Sequence, residues 1–360
     1  MRALVSALAV LVLSAPALAQ ERPVEETEEA GGISVTDEER RYDALVQRFQ
    51  NDYLRFTALL QVVPTVAFED VEGNQPGFDV AAAWLGIGGR LDGGIGYFLR
   101  GDFARSPSLL EAYVSYGSDD VRGVVGRQKV PFSAEFLIGA ANIDFVNRAR
   151  IVREVAPGRA VGAQLRAAPG GGPLSVRAGV FNATQTTGSS GNRSGAFSQR
   201  QRGGALLAGR VQGEIAVGDG TAVVGANVAY NTEDTSDEIE SPGRLDLGVD
   251  VRVRVGRVLL AGEVLRSRLD EPPFTALEPS GLDGGYATLG VDVTPDDRLL
   301  ARLDVIAVKG AEASTELLLG YNRTLTRAAS VQANVVVPLS DAGNSFDEPL
   351  QALLNFQLAF

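Results

Sequence analysis

Much of this chain alternates between apolar and polar residues with a period of two. The pattern is clearest at the end of the sequence, where the apolar face comprises Leu350, Ala352, Leu354, Phe356, Leu358 and Phe360. Gln351, Asn355 and Gln357 lie on the other face. A period of two is the geometry of a β-strand, and an apolar face that reaches an aromatic last residue is typical of a strand in contact with lipid.

Segments with strand character follow one another along most of the chain. We predict sixteen strands, over residues 54–68, 78–90, 94–103, 108–116, 121–130, 159–168, 174–182, 203–217, 221–231, 244–255, 257–269, 284–293, 298–308, 314–325, 328–339 and 350–360. An even number of strands is typical of a single-chain bacterial outer-membrane barrel, because both termini then lie on the same side. Strands can cross a bilayer only in a closed barrel.

The lengths of the predicted connections favour the same fold. Connections after even-numbered strands are tight, as at residues 91–93, 117–120 and 256. All the long connections follow odd-numbered strands, at residues 131–158, 183–202, 232–243, 270–283 and 340–349. Outer-membrane barrels have short periplasmic turns and long external loops. The longest connection follows the fifth strand, where the third loop of general porins folds into the lumen.

The predicted tenth strand shows which face of the barrel is wet. Between Leu245 and Val255 the odd positions are apolar, and the even positions include Asp246, Asp250, Arg252 and Arg254. These charged side chains must point into the lumen, because an arginine at the bilayer midplane costs about 2–4 kcal/mol. The same alternation places Arg302 and Asp304 inside. A polar interior in a barrel of this size predicts a water-filled pore.

The start of the chain predicts export. Residues 1–19 have the features of a signal peptide, with Arg2, an apolar stretch and an Ala17-Leu18-Ala19 cleavage site. Residues 20–52 form an acidic leader that is expected to be periplasmic, either a solvated tail or one that includes a short helix. We therefore place the barrel at residues 53–360.

Composition excludes several functional classes. The chain contains no His and no Cys, so catalysis that depends on either residue is impossible, and we predict no enzyme activity, cofactor or metal site. The net charge of −12 argues against nucleic acid as a partner. The class that remains in competition with a diffusion channel is a structural or adhesin-type barrel with a closed lumen.

Three segments near the fifth strand carry a family resemblance. They are Gly126-Arg127-Gln128-Lys129-Val130-Pro131-Phe132-Ser133-Ala134-Glu135, Phe145-Val146-Asn147-Arg148 and Ala156-Pro157-Gly158-Arg159-Ala160-Val161-Gly162. In order and spacing they resemble the phosphate-selective porin O and P family, which carries Gly-Gln-Phe-Lys-x-Pro-Phe, Phe-x-Glu-Arg and Pro-Gly-Arg-x-x-Gly segments. The resemblance implies a homotrimer of sixteen-stranded barrels, each with a pore that inward loops narrow and basic residues line.

The resemblance assigns matching positions to Lys129, Arg148, Arg159 and Glu135. The chain departs from the family at Asn147, where the family has Glu, and at 81–83, where three alanines replace a basic pair. It has only two lysines, Lys129 and Lys309, so we expect no lysine-rich phosphate cluster.

We take a set of charged residues as candidates for the constriction and its selectivity: Lys129, Arg148, Arg150, Arg153, Arg159, Arg100, Arg122, Glu135 and Asp144. A modest preference for anions is the expected result. The alternative is that Arg148 or Arg159 pairs with Glu135 or Asp144 and pins the loop, with little net field.

Phe356, Leu358 and Phe360 are the expected signal for the barrel assembly machinery. The other expected partners are outer-membrane lipid, lipopolysaccharide, a homotrimer and small anions or other hydrophilic solutes, and the expected location is the bacterial outer membrane.

Overall fold

The computed structural model describes residues 51–68, 76–104, 107–183, 204–232, 243–270, 281–340 and 346–360. The predicted signal peptide, nearly all of the acidic leader, and large parts of several predicted outer loops lie outside these residues. Residues 52–360 form a compact unit. No helix in the described ranges is long and apolar enough to cross a membrane.

Sixteen antiparallel strands close into one barrel, in which each strand pairs with its neighbours in the sequence and β1 pairs with β16. In chain order, β1 to β16 are Arg55–Ala67, Gly77–Arg90, Ile95–Asp102, Ser108–Gly117, Val121–Lys129, Arg159–Ala167, Leu174–Asn182, Ala205–Val217, Gly220–Asn231, Arg244–Val255, Val258–Leu269, Gly281–Asp292, Asp297–Val308, Ala313–Thr324, Ala329–Pro338 and Gln351–Ala359. The predicted fold class is confirmed, and every predicted strand is present. The ends differ by at most three residues, the largest difference being the start of β12.

The seam between the first and last strands is closed by backbone hydrogen bonds. The amide of Ala58 donates to the carbonyl of Phe360 at 2.8 Å, and the amide of Phe360 donates to Ala58 at 3.1 Å. The polar residues of β16 are buried inside the barrel, whereas Phe356 and Phe360 are exposed on its outer surface. The terminal alternation therefore has the facing that the sequence predicts.

The two ends of the barrel differ in the lengths of their connections. Connections after even-numbered strands contain two to six residues and form one end, which we call the turn end. The longest described connection, residues 130–158, joins β5 to β6 at the opposite end and contains two short helices, α1 (Ala134–Leu137) and α2 (Arg150–Val155). We call this segment the inward loop, because it lies within the barrel.

The inward loop packs against the wall through two apolar clusters. The first joins loop residues such as Phe132, Ile151 and Val155 to wall residues that include Leu265 and Ile306. The second surrounds Phe145 with Leu259, Leu300, Leu318, Val336 and Leu353. On this side the interior of the barrel is apolar where the loop packs, a feature that the polar alternation of β10 did not indicate. Burying a phenylalanine side chain stabilises the packed loop by about 1.5–3 kcal/mol.

Candidate pore constriction

The inward loop crosses the lumen and is held by hydrogen bonds to strands far away in the sequence. Gln332 on β15 donates to the carbonyl of Ile143 at 2.9 Å, and Gln357 on β16 donates to that of Ala141 at 3.0 Å. The amide of Val146 donates to the Asn334 side chain at 2.7 Å. Inward polar residues of the last strands thus satisfy the loop backbone and fix its path.

Arg150 and Arg153 fasten α2 to the wall and to the last loop. The guanidinium of Arg150 lies 3.2 Å from the carboxylate of Glu316 and donates to Ser314 at 2.7 Å and to the carbonyl of Phe346 at 2.6 Å. Arg150 is only 2% exposed. Arg153 pairs with Glu348. Arg150, a sequence candidate for the constriction, is buried between α2 and the wall.

Arg302 is the main anchor on β13. It is 1% exposed and lies 3.1 Å from Asp304 and 3.4 Å from the carboxylate of Glu135. It also donates to the carbonyl of Asn147 at 3.1 Å, and its guanidinium carbon lies 4.5 Å from the centre of the Phe145 ring. Burial raises the pKa of the Glu135 carboxyl, and the nearby Arg302 and Arg148 only partly offset this effect.

Asp144 is held by a different pair of arginines. Arg252 on β10 donates to both of its carboxylate oxygens, at 2.8 and 3.2 Å, and Arg298 lies 3.6 Å away. The alternative pairing of Arg148 or Arg159 with the carboxylates of Glu135 or Asp144 is therefore not the observed ion-pair arrangement. The loop is instead held in place by Arg252 on β10 and by Arg298 and Arg302 on β13.

Lys129 and Arg148 are held by neutral acceptors. The ammonium of Lys129 donates to the carbonyls of Phe136, Leu137 and Ile138, at 2.7, 3.3 and 2.9 Å. Arg148 donates to the carbonyl of Ile138 at 2.9 Å and to that of Glu135. Carbonyl oxygens orient a cation without cancelling its charge. Within the described ranges neither side chain forms an ion pair, and both shape the loop through hydrogen bonds to its backbone.

Arg100 on β3 and Arg159 on β6 share one carboxylate. Glu111 on β4 lies 3.2 Å from Arg100 and 3.3 Å from Arg159. Each guanidinium carbon also lies 5.6 Å from the centre of the Trp84 indole ring. Trp84 therefore faces the lumen. Two arginines on one glutamate leave an excess positive charge.

Two cavities border β1 to β6. In this part of the wall the loop contacts Gln61 and Val63 on β1 and Lys129 on β5, whereas neither apolar cluster includes a residue of β2 to β4, which we call the uncovered wall. The neck cavity has a volume of about 550 Å³ and lies against the loop, and its charged lining comprises Lys129, Arg148, Arg153, Arg159, Asp79 and Asp102. The turn-end cavity has a volume of about 710 Å³, and its charged lining comprises Arg55, Arg90, Arg122, Arg166, Asp52 and Asp92. Each cavity therefore has four basic and two acidic side chains, although the whole chain carries −12.

A row of arginines lies beside these cavities. Arg122, Arg166, Arg177 and Arg210 are direct cross-strand partners on β5 to β8. Arg122 pairs with Asp119 at 2.6 Å, and Arg210 pairs with Asp250 at 2.5 and 2.9 Å. Within the described ranges, no carboxylate pairs with Arg177. Arg166, Arg177 and Arg210 were not among the residues predicted from the sequence, although each occupies an inward position of its strand.

The remaining lumen candidates lie on the inner wall as expected from the alternation. Asp246 pairs with Arg244 at 2.8 Å, and Arg254 pairs with Asp292 at 2.9 Å. In the described part of the chain no group of three potential metal ligands occurs. The lumen candidates on β10 and β13 form ion pairs with one another, with nearby strands or with the inward loop.

Comparisons with known proteins identify the type of barrel. The sequence profile of the family described as phosphate-selective porin O and P matches residues 47–332. A search of the curated proteins found no match. Among solved structures, the chain is similar to an anion-selective porin from Comamonas acidovorans, with a TM-score of 0.61, 14% identity, and coverage of 85% of this chain and 99% of that one.

Two further solved structures share the fold. The outer-membrane expressed OmpT of Vibrio cholerae has a TM-score of 0.59 and 12% identity, with coverage of 86% of this chain and 99% of that one. The outer-membrane channel DcaP of Acinetobacter baumannii has a TM-score of 0.58 and 11% identity, with coverage of 85% and 97%.

Proposed function

The chain belongs to the phosphate-selective porin O and P family, and from this premise we propose that it admits small hydrophilic solutes by passive diffusion with a modest preference for anions. Its family and its porin-type barrel make it an outer-membrane channel protein. The finer proposal concerns which ions pass and where.

The observation that carries the proposal is the charge of the uncovered wall. Basic side chains outnumber acidic ones by two to one in both cavities. At the neck, Lys129 and Arg148 are bound by carbonyl oxygens and form no ion pair within the described ranges, and we take them as contributors to the positive potential there. Rings of basic side chains favour anions, and permeation also requires that an ion be able to leave. Selectivity here arises from the local potential and not from a tight site.

Phosphate does not need to be the preferred anion. The chain has two lysines, and the exposed Lys309 lies in the turn after β13, far in sequence from the neck. Guanidinium groups instead supply most of the positive charge. The solved anion-selective porin of the same fold is consistent with a general anion preference in this chain.

We further infer a homotrimer that is exported through cleavage of residues 1–19 and assembled through the Phe360 signal. One solved OmpT structure of this fold is a trimer form. A band of exposed apolar side chains on the outer wall, such as Leu85, Val125 and Val249, is consistent with contact with lipid or with neighbouring subunits.

The experiment is a planar-bilayer recording of the purified protein in asymmetric KCl. The proposal predicts stable conductance steps and a reversal potential displaced towards that of chloride. A potassium-selective reversal potential would refute the anion preference. A protein that inserts without conductance would instead support the structural or adhesin-type barrel. Competition with phosphate in the same chamber tests whether that anion binds more tightly than chloride.

A further inference from the structure

Three aromatic side chains line the uncovered wall in an unbroken sequence of neighbouring strands. Trp84 on β2 borders the neck cavity, and Phe98 on β3 and Tyr113 on β4 border the turn-end cavity. The Phe98 and Tyr113 rings have centroids 5.6 Å apart and are tilted by 37°. Arg100 lies near both of the first two rings, since its guanidinium carbon is 4.7 Å from the Phe98 ring centre and 5.6 Å from that of Trp84. We call Trp84, Phe98 and Tyr113 the aromatic strip.

A glycine on the adjacent strand lies opposite each of the residues Phe98 and Tyr113. A Cβ atom at Gly88 would lie 2.7 Å from Cδ2 of Phe98, whereas one at Gly126 would meet the main chain, 2.2 Å from the carbonyl oxygen of Ala112 and 2.7 Å from the Cα of Tyr113. Such distances are too short for any larger residue. The Phe98 ring is therefore seated against Gly88, where a side chain would displace it, and both rings border the cavity.

Guanidinium groups line the same cavity as the rings. Arg122 and Arg166 border the turn-end cavity together with Phe98 and Tyr113. The cavity volume of about 710 Å³ is within the usual range for a site that holds a small organic molecule. Aromatic rings attract other rings in offset or edge-to-face contacts, and guanidinium groups bind carboxylates in two-pronged hydrogen bonds.

We propose that the turn-end cavity transiently binds monocyclic aromatic carboxylates, whose ring contacts Phe98 and Tyr113 while the carboxylate contacts Arg122 or Arg166. An inorganic anion satisfies the arginines alone, and an aliphatic acid of equal charge gains no ring contact. Benzoate can contact both the arginines and the aromatic rings. The inference rests on the proposed function, because it requires anions to enter the pore, and it adds a class of solute to it.

The test compares benzoate with cyclohexanecarboxylate, which has nearly the same size and the same charge at neutral pH but no aromatic ring. Each is added to the wild-type channel in KCl, and the current interruptions are recorded. Ring contacts are worth about 0.5–1.5 kcal/mol, so benzoate residence times should be roughly 2- to 10-fold longer than those of cyclohexanecarboxylate. The double variant Phe98→Leu with Tyr113→Leu should remove this difference.

The matched control is Tyr116→Leu, which removes an aromatic ring from the outer face of the same strand, where Tyr116 is 67% exposed. It should leave the ratio of residence times unchanged. Equal residence times for the two acids in the wild-type channel would overturn the aromatic site while chloride selectivity stayed intact. A channel that admits neither acid and prefers potassium would overturn the proposed function itself. The wild-type comparison decides the matter even if the double variant fails to fold.

Discussion

Neutralising Lys129 and Arg148 together should abolish most of the anion preference. The variant Lys129→Gln with Arg148→Gln changes the charged lining of the neck from four basic and two acidic residues to two of each. A glutamine amide can still donate to a loop carbonyl such as that of Ile138, which accepts hydrogen bonds from both native side chains. The substitution therefore removes charge with the least change in the position of the loop.

The expected size of the effect follows from Coulomb's law. One unit charge at 4 Å is worth about 1 kcal/mol in water, and the Debye length of about 10 Å at 0.1 M salt leaves most of that interaction in place. Two charges then contribute up to about 2 kcal/mol, and 1.4 kcal/mol corresponds to a factor of ten. Allowing for partial screening, we expect the chloride-to-potassium permeability ratio to fall roughly 3- to 10-fold.

The assay is the reversal potential in asymmetric KCl, with two controls. Lys309→Gln removes the other lysine, which is exposed in a turn, and should leave the ratio unchanged. Lys129→Arg with Arg148→Lys preserves both charges and should retain the preference. In 1 M salt, where the Debye length is about 3 Å, the difference between wild type and variant should shrink. An unchanged chloride-to-potassium permeability ratio in the neutral double variant at low salt would show that Lys129 and Arg148 do not set the anion preference.

Three further predictions concern the packed loop and the seam. Arg302→Met leaves the buried carboxylates of Glu135 and Asp304 without this partner and should destabilise the protein by about 3–5 kcal/mol. Its control, Arg254→Met, breaks a partly exposed ion pair and should cost about 1 kcal/mol or less. The temperature of heat modification on gels compares the two variants, and equal shifts would contradict the anchor role of Arg302. Gly320→Val crowds Phe145, whose ring would lie 3.0 Å from a Cβ there, and should destabilise the protein by about 1–3 kcal/mol. Its control, Gly213→Val, meets nothing within 4 Å of the new Cβ and should be tolerated. Similar stabilities of the two variants in urea would count against close packing of Phe145 on Gly320. Deleting Phe360 removes the two backbone hydrogen bonds to Ala58 and should lower the yield of folded barrel in membranes, and an unchanged yield would show that the seam closes without them.

The strands could be predicted because membrane and lumen impose opposite demands on alternate residues. In β10, for example, Val249 is 58% exposed on the outer surface and Asp250 is 6% exposed inside, as the alternation requires. Turn lengths then gave the two ends of the barrel. These signals are local, so a single sequence carries them in full.

The arrangement of the constriction could not be predicted in the same way. The partner of Glu135 is Arg302, 167 positions away, and the carbonyl of Ile143 is satisfied by Gln332, 189 positions away. Which inward residues meet the loop depends on barrel register and on the path of the loop. The arginine row depends on the same register, because Arg122, Arg166 and Arg177 become neighbours only through strand pairing. The apolar clusters were missed because inward leucines such as Leu318 break the polar alternation without any local sign of a partner.

Thiol labelling can show whether ions pass along β1 to β6 while the inward loop covers the wall around β11, because the chain has no cysteine of its own. Ala81→Cys places a thiol in the lining of the neck cavity, and Ala261→Cys places one on the inner wall of β11, where the native residue is 9% exposed. An anionic methanethiosulfonate added to single channels should reduce the current of the Ala81→Cys channel and leave that of the Ala261→Cys channel unchanged. Current loss in the Ala261→Cys channel without loss in the Ala81→Cys channel would contradict the account.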